Sequence, residues 1–193
     1  MTTKEKILYE SMKLFSTQGF EAVSVRSIAE AVGVTNSALY KHFPSKQAIF
    51  NSIVEISKEK YLKQCNKVVN AEIRGIEQVQ QVCMEMFKYQ TEDEWIVMFR
   101  RILLLEQFKN PEIAEIYKEF FVIIPLKKQQ MIFEKLIKMG LMKNKNPKVM
   151  AMELYAPFFM FHMVKDDEKN LTEMFEQHIE YFFKNYIIEE RKQ

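Results

Sequence analysis

Apolar residues recur along most of the chain at helical rather than alternating spacing, and the breaks fall at glycines, Asn-Pro pairs and short polar runs. Val25, Ile28, Ala29 and Val32 stand at i, i+3, i+4 and i+7, one buried stripe on a short helix. No stretch reads as a set of alternating strands and no internal repeat is visible, so the pattern predicts an all-α fold. About nine helices are expected, over residues 3–18, 25–32, 36–42, 45–69, 76–89, 92–109, 111–139, 147–164 and 171–189. Pro125 should interrupt or kink the seventh.

Capping chemistry supports these limits. Thr2 with Glu5 has the spacing of a capping box, Ser24 and Thr35 stand where N-caps belong, and Asn170 with Glu173 suggests a box for the last helix. Asn110-Pro111 and Asn146-Pro147 each place a cap before a proline at the first helical position. Gly19, Gly33, Gly75 and Gly140 fall where helices end. Val34 and Leu39 match a hydrophobic staple, and Phe43 continues the buried side of the third helix.

That helix has a second face with no place in a core. Asn36, Ser37, Tyr40 and Lys41 lie opposite Leu39 and Phe43, and Thr35 and His42, at the two ends of the segment, add polar side chains to it. A segment of this length spans about 12 Å, near the width of the DNA major groove. Small polar side chains can reach base edges, Tyr40 a thymine methyl or a phosphate, and Lys41 and His42 backbone oxygens. Lys46, after Pro44, opens the fourth helix and suits a phosphate. Residues 24–43 therefore read as a helix-turn-helix. Spacing alone leaves, as the lesser alternative, a helical hairpin whose polar face is merely solvated.

Charge leaves both readings open. The formal net charge of the 193 residues is +2, and residues 1–46 hold six Lys or Arg against four Glu. The longest stretch free of Asp, Glu, Lys and Arg in the C-terminal part, Leu154–Val164, is far short of the roughly 20 residues of a membrane span. The opening MTTKEKILYE lacks the apolar region of a secretory signal, and Cys65 and Cys83 lack metal-ligand spacing. A reduced cytoplasmic protein is expected, with no cofactor and no metal site. No phosphate-binding glycine loop, G-x-S-x-G, H-E-x-x-H or E-x-x-H occurs, and His42, His162 and His178 are the only histidines. Enzyme chemistry is poorly supplied, although a helical small-molecule-binding protein or enzyme without specific DNA binding remains the alternative.

The run GFEAVSVRSIAEAVGVTNSALYKHFPSK, Gly19–Lys46, resembles the N-terminal signature of the tetracycline-repressor (TetR) family of bacterial transcription regulators. The match is ungapped and covers about the first quarter of the chain. The resemblance implies a DNA-binding domain over residues 1–46 and a ligand-binding and dimerisation domain over 47–193. It makes 35–42 the recognition helix, sets Ser24, Val25 and Arg26 near phosphates, and assigns Tyr40, His42 and Lys46 to the DNA backbone. It further implies a homodimer on a pseudo-palindromic operator, with a small-molecule effector, acting as a repressor. The last helix carries a wide apolar stripe from which Phe175, His178, Phe182 and Tyr186 are nominated for the dimer interface. Candidate pocket residues are Trp95, Met98, Phe99, Ile102, Glu106, Tyr117, Phe121, Tyr155, Phe158, Phe159 and His162.

Overall fold

The computed structural model describes residues 1–69, 74–163 and 168–188, and side chains for 1–66, 74–161 and 170–188. The helices are α1 (Thr3–Gln18), α2 (Val25–Val32), α3 (Asn36–Tyr40), α4 (Lys46–Val69), α5 (Ile76–Glu92), α6 (Glu94–Glu106), α7 (Pro111–Lys118), α8 (Ile124–Lys138), α9 (Pro147–Met163) and α10 (Glu168–Tyr186). A π-helical segment, Glu119–Ile123, joins α7 to α8 without a break, so the run from 111 to 138 is one interrupted helix as expected. The described residues form no strand, only an isolated antiparallel bridge between Met142 and Ile187.

The caps explain why these segments start where they do. Thr2 and Glu5 close their box, with Thr2 N–H donating to Glu5 Oε2 at 2.7 Å. Ser24 Oγ accepts from Ser27 N, and Thr35 Oγ1 accepts from Ala38 N at 3.2 Å. Asn110 Oδ1 accepts from Glu112 N, and Asn146 Oδ1 from Lys148 N. Asp93, unremarked in the sequence, caps α6 through Ile96 N at 3.0 Å and separates it from α5. Two expectations are corrected. Asn170 lies inside α10, which starts at Glu168, so it is no N-cap. Helix α3 ends at Tyr40 because His42 N–H turns back to Leu39 O, and because Pro44 disfavours helical backbone at Phe43.

The chain divides into two compact units. The first holds Met1–Cys65 and Glu92–Lys118, the second Asn66–Thr91 and Glu119–Gln193. This differs from a division at 46/47, since α6 packs along α1 and brings α7 with it. In the first unit, Ile7, Met12 and Phe15 of α1 are buried together with Ile28, Leu39, Ile49, Ile53, Phe99, Ile102 and Leu103. In the second, the core is aromatic: Phe87 stacks on Phe175 with centroids 4.1 Å apart, and Phe158 stands edge-on to both. Phe133 packs on Phe182 and Phe183 in the same core.

Candidate nucleic-acid interface

The first unit presents α3 by holding its apolar side tightly. Leu39 is fully buried and Phe43 nearly so, while Thr35, Asn36, Ser37, Tyr40, Lys41 and His42 are all exposed. Gly33, at φ 77°, gives the left-handed turn between α2 and α3 and receives no crowding at its missing Cβ. Helix α1 fixes the end of α2 directly, as Lys6 Nζ donates to Val32 O at 2.8 Å. At the other end of α2, Ser24 and Arg26 are exposed and Val25 partly so. Arg26 pairs with Glu30 at 3.1 Å across solvent, with four-fifths of its side chain open.

Lys46 has a different setting from its neighbours. Its ammonium donates to Phe20 O at 2.7 Å and Glu21 O at 3.3 Å, and lies 4.4 Å from the Phe20 ring centroid. Glu106 meets the same turn from α6. Its buried carboxylate accepts from Phe20 N at 2.9 Å. Neither tie is visible in the sequence, since each joins residues at least 25 positions apart.

The nominated pocket residues fall in both units. Met98, Phe99 and Ile102 are core side chains of the first. Trp95 is partly exposed there, its indole donating to Ser57 Oγ at 2.9 Å with Lys60 over its ring. Tyr117 is partly exposed as well; burial pushes its hydroxyl pKa up, against the opposing pull of the Arg100 guanidinium. In the second unit Phe121, Tyr155 and Phe158 are buried and Phe159 is partly exposed, with Tyr155 stacked on Phe158. The His162 side chain lies outside the described residues.

The nominated interface residues have partners within their own unit. Phe175 and Phe182 belong to the aromatic core, so the monomer already covers them. His178 Nε2 lies 3.2 Å from Leu154 O, and Tyr186 Oη donates to Glu153 Oε2 at 2.5 Å. What α9 and α10 expose instead is Val149, Met152 and Met160 on one, and Met174 and Tyr181 on the other. The sequence shows the width of these apolar stripes but not which side the monomer covers. Among the described residues, no group of three or more His, Cys, Asp or Glu could hold a metal ion, and no helix is long and apolar enough to cross a membrane.

An all-α chain that offers the polar face of a short helix, wedged by a buried Leu-Phe pair after a glycine turn, is a helix-turn-helix DNA-binding protein. Residues 7–53 match the family described as bacterial regulatory proteins, tetR family. The chain is 44% identical over 55 residues, 28% of its length and 26% of the other's, to the HTH-type transcriptional regulator AcrR of Shigella flexneri. It is 24% identical over 170 residues to nucleoid occlusion factor SlmA of Vibrio vulnificus (strain YJ016), 86% of this chain and 85% of that one. Its fold is similar to that of SmeT of Stenotrophomonas maltophilia in the SmeT–triclosan complex, with TM-score 0.78 and 19% identity over 98% of this chain and 93% of that one. Residues 7–53 therefore carry a DNA-binding domain of the tetR type, and the chain as a whole is similar in fold to tetR-type regulators of transcription.

Proposed function

We propose that the protein is a cytoplasmic homodimeric repressor that leaves its operator when a small, largely apolar molecule binds among the helices that follow the DNA-binding domain. The carrying observation is the outward face of α3: Asn36, Tyr40, Lys41 and His42 are exposed while Leu39 and Phe43 anchor the opposite side. In this reading Asn36 and Ser37 face base edges, and Tyr40, Lys41 and His42 face the backbone. Ser24, Val25 and Arg26 bring the start of α2 to a flanking phosphate. Two copies set their α3 helices about 34–36 Å apart, on successive major grooves of a pseudo-palindromic site. An apolar effector is favoured by the similarity to SmeT, a fold seen with triclosan, and by the aromatic content of the second unit. Phe159, partly exposed, is the nominated residue of the second unit best able to meet it.

The test is a selection from random duplexes with purified full-length protein, followed by anisotropy titration of the enriched sequence. A pseudo-palindrome should emerge. Tyr40→Ala and Lys41→Ala should each weaken binding by about tenfold, the scale of one or two lost phosphate contacts, with helicity unchanged. No enrichment, or wild-type affinity in both variants, refutes the assignment.

A further inference from the structure

We infer that Glu106 is a positioning residue for DNA binding: its carboxylate, carried on α6, holds the turn that aims the helix-turn-helix. The sequence places Glu106 with the effector pocket, yet its Oε1 accepts the Phe20 N–H at 2.9 Å, 86 residues away. Gly19 makes this approach possible. A Cβ built at Gly19 would lie 2.8 Å from Glu106 Oε1, closer than side-chain carbons approach such an atom. At φ 84° the backbone there also favours glycine. The Gly-Phe pair after α1 thus has two physical requirements, and one of them is set by α6.

The Phe20 residue is gripped from both sides. Glu106 takes its N–H, Lys46 Nζ at the start of α4 takes its C=O at 2.7 Å, and the same ammonium sits over its ring. The ring packs against Phe15 and Phe50, both with centroids at 5.2 Å. Four residues later Ser24 starts α2, so the direction of the chain at Phe20 sets how α2, and α3 after it, leave α1.

A second acidic residue ties the other end of the same helix. Tyr9 Oη of α1 donates to Glu94 Oε1 at 2.8 Å. Glu94 and Glu106 are twelve residues apart, about 18 Å along α6 at 1.5 Å per residue. Between them Met98, Phe99, Ile102 and Leu103 are buried, as are Met12 and Phe15 of α1. An apolar seam closed at both ends by a hydrogen bond makes α1 and α6 one body. Given the effector reading above, on which this step alone rests, a displacement of α6 reaches the α1–α2 turn through Glu106 without needing to bend α1. The two ties differ in kind: Glu94 meets a hydroxyl at the surface, whereas Glu106 satisfies a buried backbone donor that no water can serve.

The conservative variant separates positioning from bulk stability. Glu106→Gln keeps an acceptor oxygen; Glu106→Leu keeps similar bulk and removes it. On the duplex recovered by the selection, Glu106→Leu should bind about tenfold more weakly, equivalent to about 1.4 kcal/mol, while Glu106→Gln stays within about twofold of wild type. Affinity for an unrelated duplex should be unchanged in both, since the phosphate contacts of α3 and α2 survive. A merely structural role would lower the melting temperature and leave the ratio of specific to non-specific affinity intact. That ratio equal to wild type in Glu106→Leu overturns the proposal. Amide exchange decides independently of any operator: Phe20 N–H and the first turn of α2 should lose at least about tenfold in protection in Glu106→Leu and keep it in Glu106→Gln. Unchanged protection also overturns it, whereas a failed duplex selection with altered protection counts against the operator reading and supports the latch.

Discussion

At the scale of single residues, chemistry is set by what stands within reach, and reach is where the sequence is least legible. Lys46 reads as a phosphate anchor because it opens α4 beyond a proline; in the fold its ammonium is held by the carbonyls of Phe20 and Glu21. Glu106 reads as a candidate for the effector pocket, and in the fold its carboxylate accepts the Phe20 N–H of the turn after α1. The cysteines behave as their isolation suggests. Cys65 is buried, and burial pushes the Cys83 thiol pKa up to about 12 from its ordinary 9.0, so it stays protonated near neutrality. The sign follows from linkage. The folded state favours the neutral thiol, so this contribution is full below pH 9.0 and is lost as pH rises from there towards about 12. Wild type should therefore lose more melting temperature than Cys83→Ala between about pH 8 and about pH 10.5. Parallel melting curves in calorimetry would show that Cys83 is not the group responsible.

At the scale of elements, the sequence was most informative where local chemistry decides. Capping side chains, Asn-Pro starts and glycine stops act over three or four residues, and the starts of α1, α2, α3, α7 and α9 agree with them. It was less informative where a neighbour decides. Pro125 announces an interruption, but not its form. A proline deprives the carbonyl four residues back, that of Phe121, of its donor and crowds it. The chain answers with the π-helical turn Glu119–Ile123, within which the adjacent Phe120 and Phe121 are both buried. The turn between α2 and α3 offers a cleaner test of local control. Gly33 has φ 77° and open space where a Cβ would go, so Gly33→Ala meets only the conformational penalty of about 1–2 kcal/mol. Gly33→Asn should cost less, since Asn enters the left-handed region more readily. Urea titration of the three proteins should rank Gly33 above Asn above Ala in stability; Ala equal to Gly would show that the turn relaxes out of the left-handed conformation.

At the scale of the whole molecule, the proposed homodimer needs a surface that pairs two copies, and here the apolar stripe alone led to residues of the core. Large apolar side chains at helical spacing look the same whether a core or a second subunit receives them, so the wide stripe of the last helix nominated Phe175 and Phe182. The fold uses both for its own core, against Phe87 and Phe133. The surface left over is built from smaller signals: Val149, Met152 and Met160 on α9, at steps of three and eight, and Met174 and Tyr181 on α10, at a step of seven. Each set lies on one side of its helix. Tyr181 and Phe182 are neighbours in sequence but opposites in setting, 64% and 2% exposed. Substituting each by Glu therefore separates assembly from folding. Tyr181→Glu should give a folded monomer of wild-type helicity, because two like charges brought together across a two-fold axis oppose association while the monomer core is untouched. Phe182→Glu should unfold the second unit, because a carboxylate would replace an aromatic ring with no partner in reach. Sedimentation and circular dichroism read the two outcomes separately. A Tyr181→Glu protein that still sediments as a dimer would move the interface away from this side of α10, whatever the effect of Phe182→Glu on the fold.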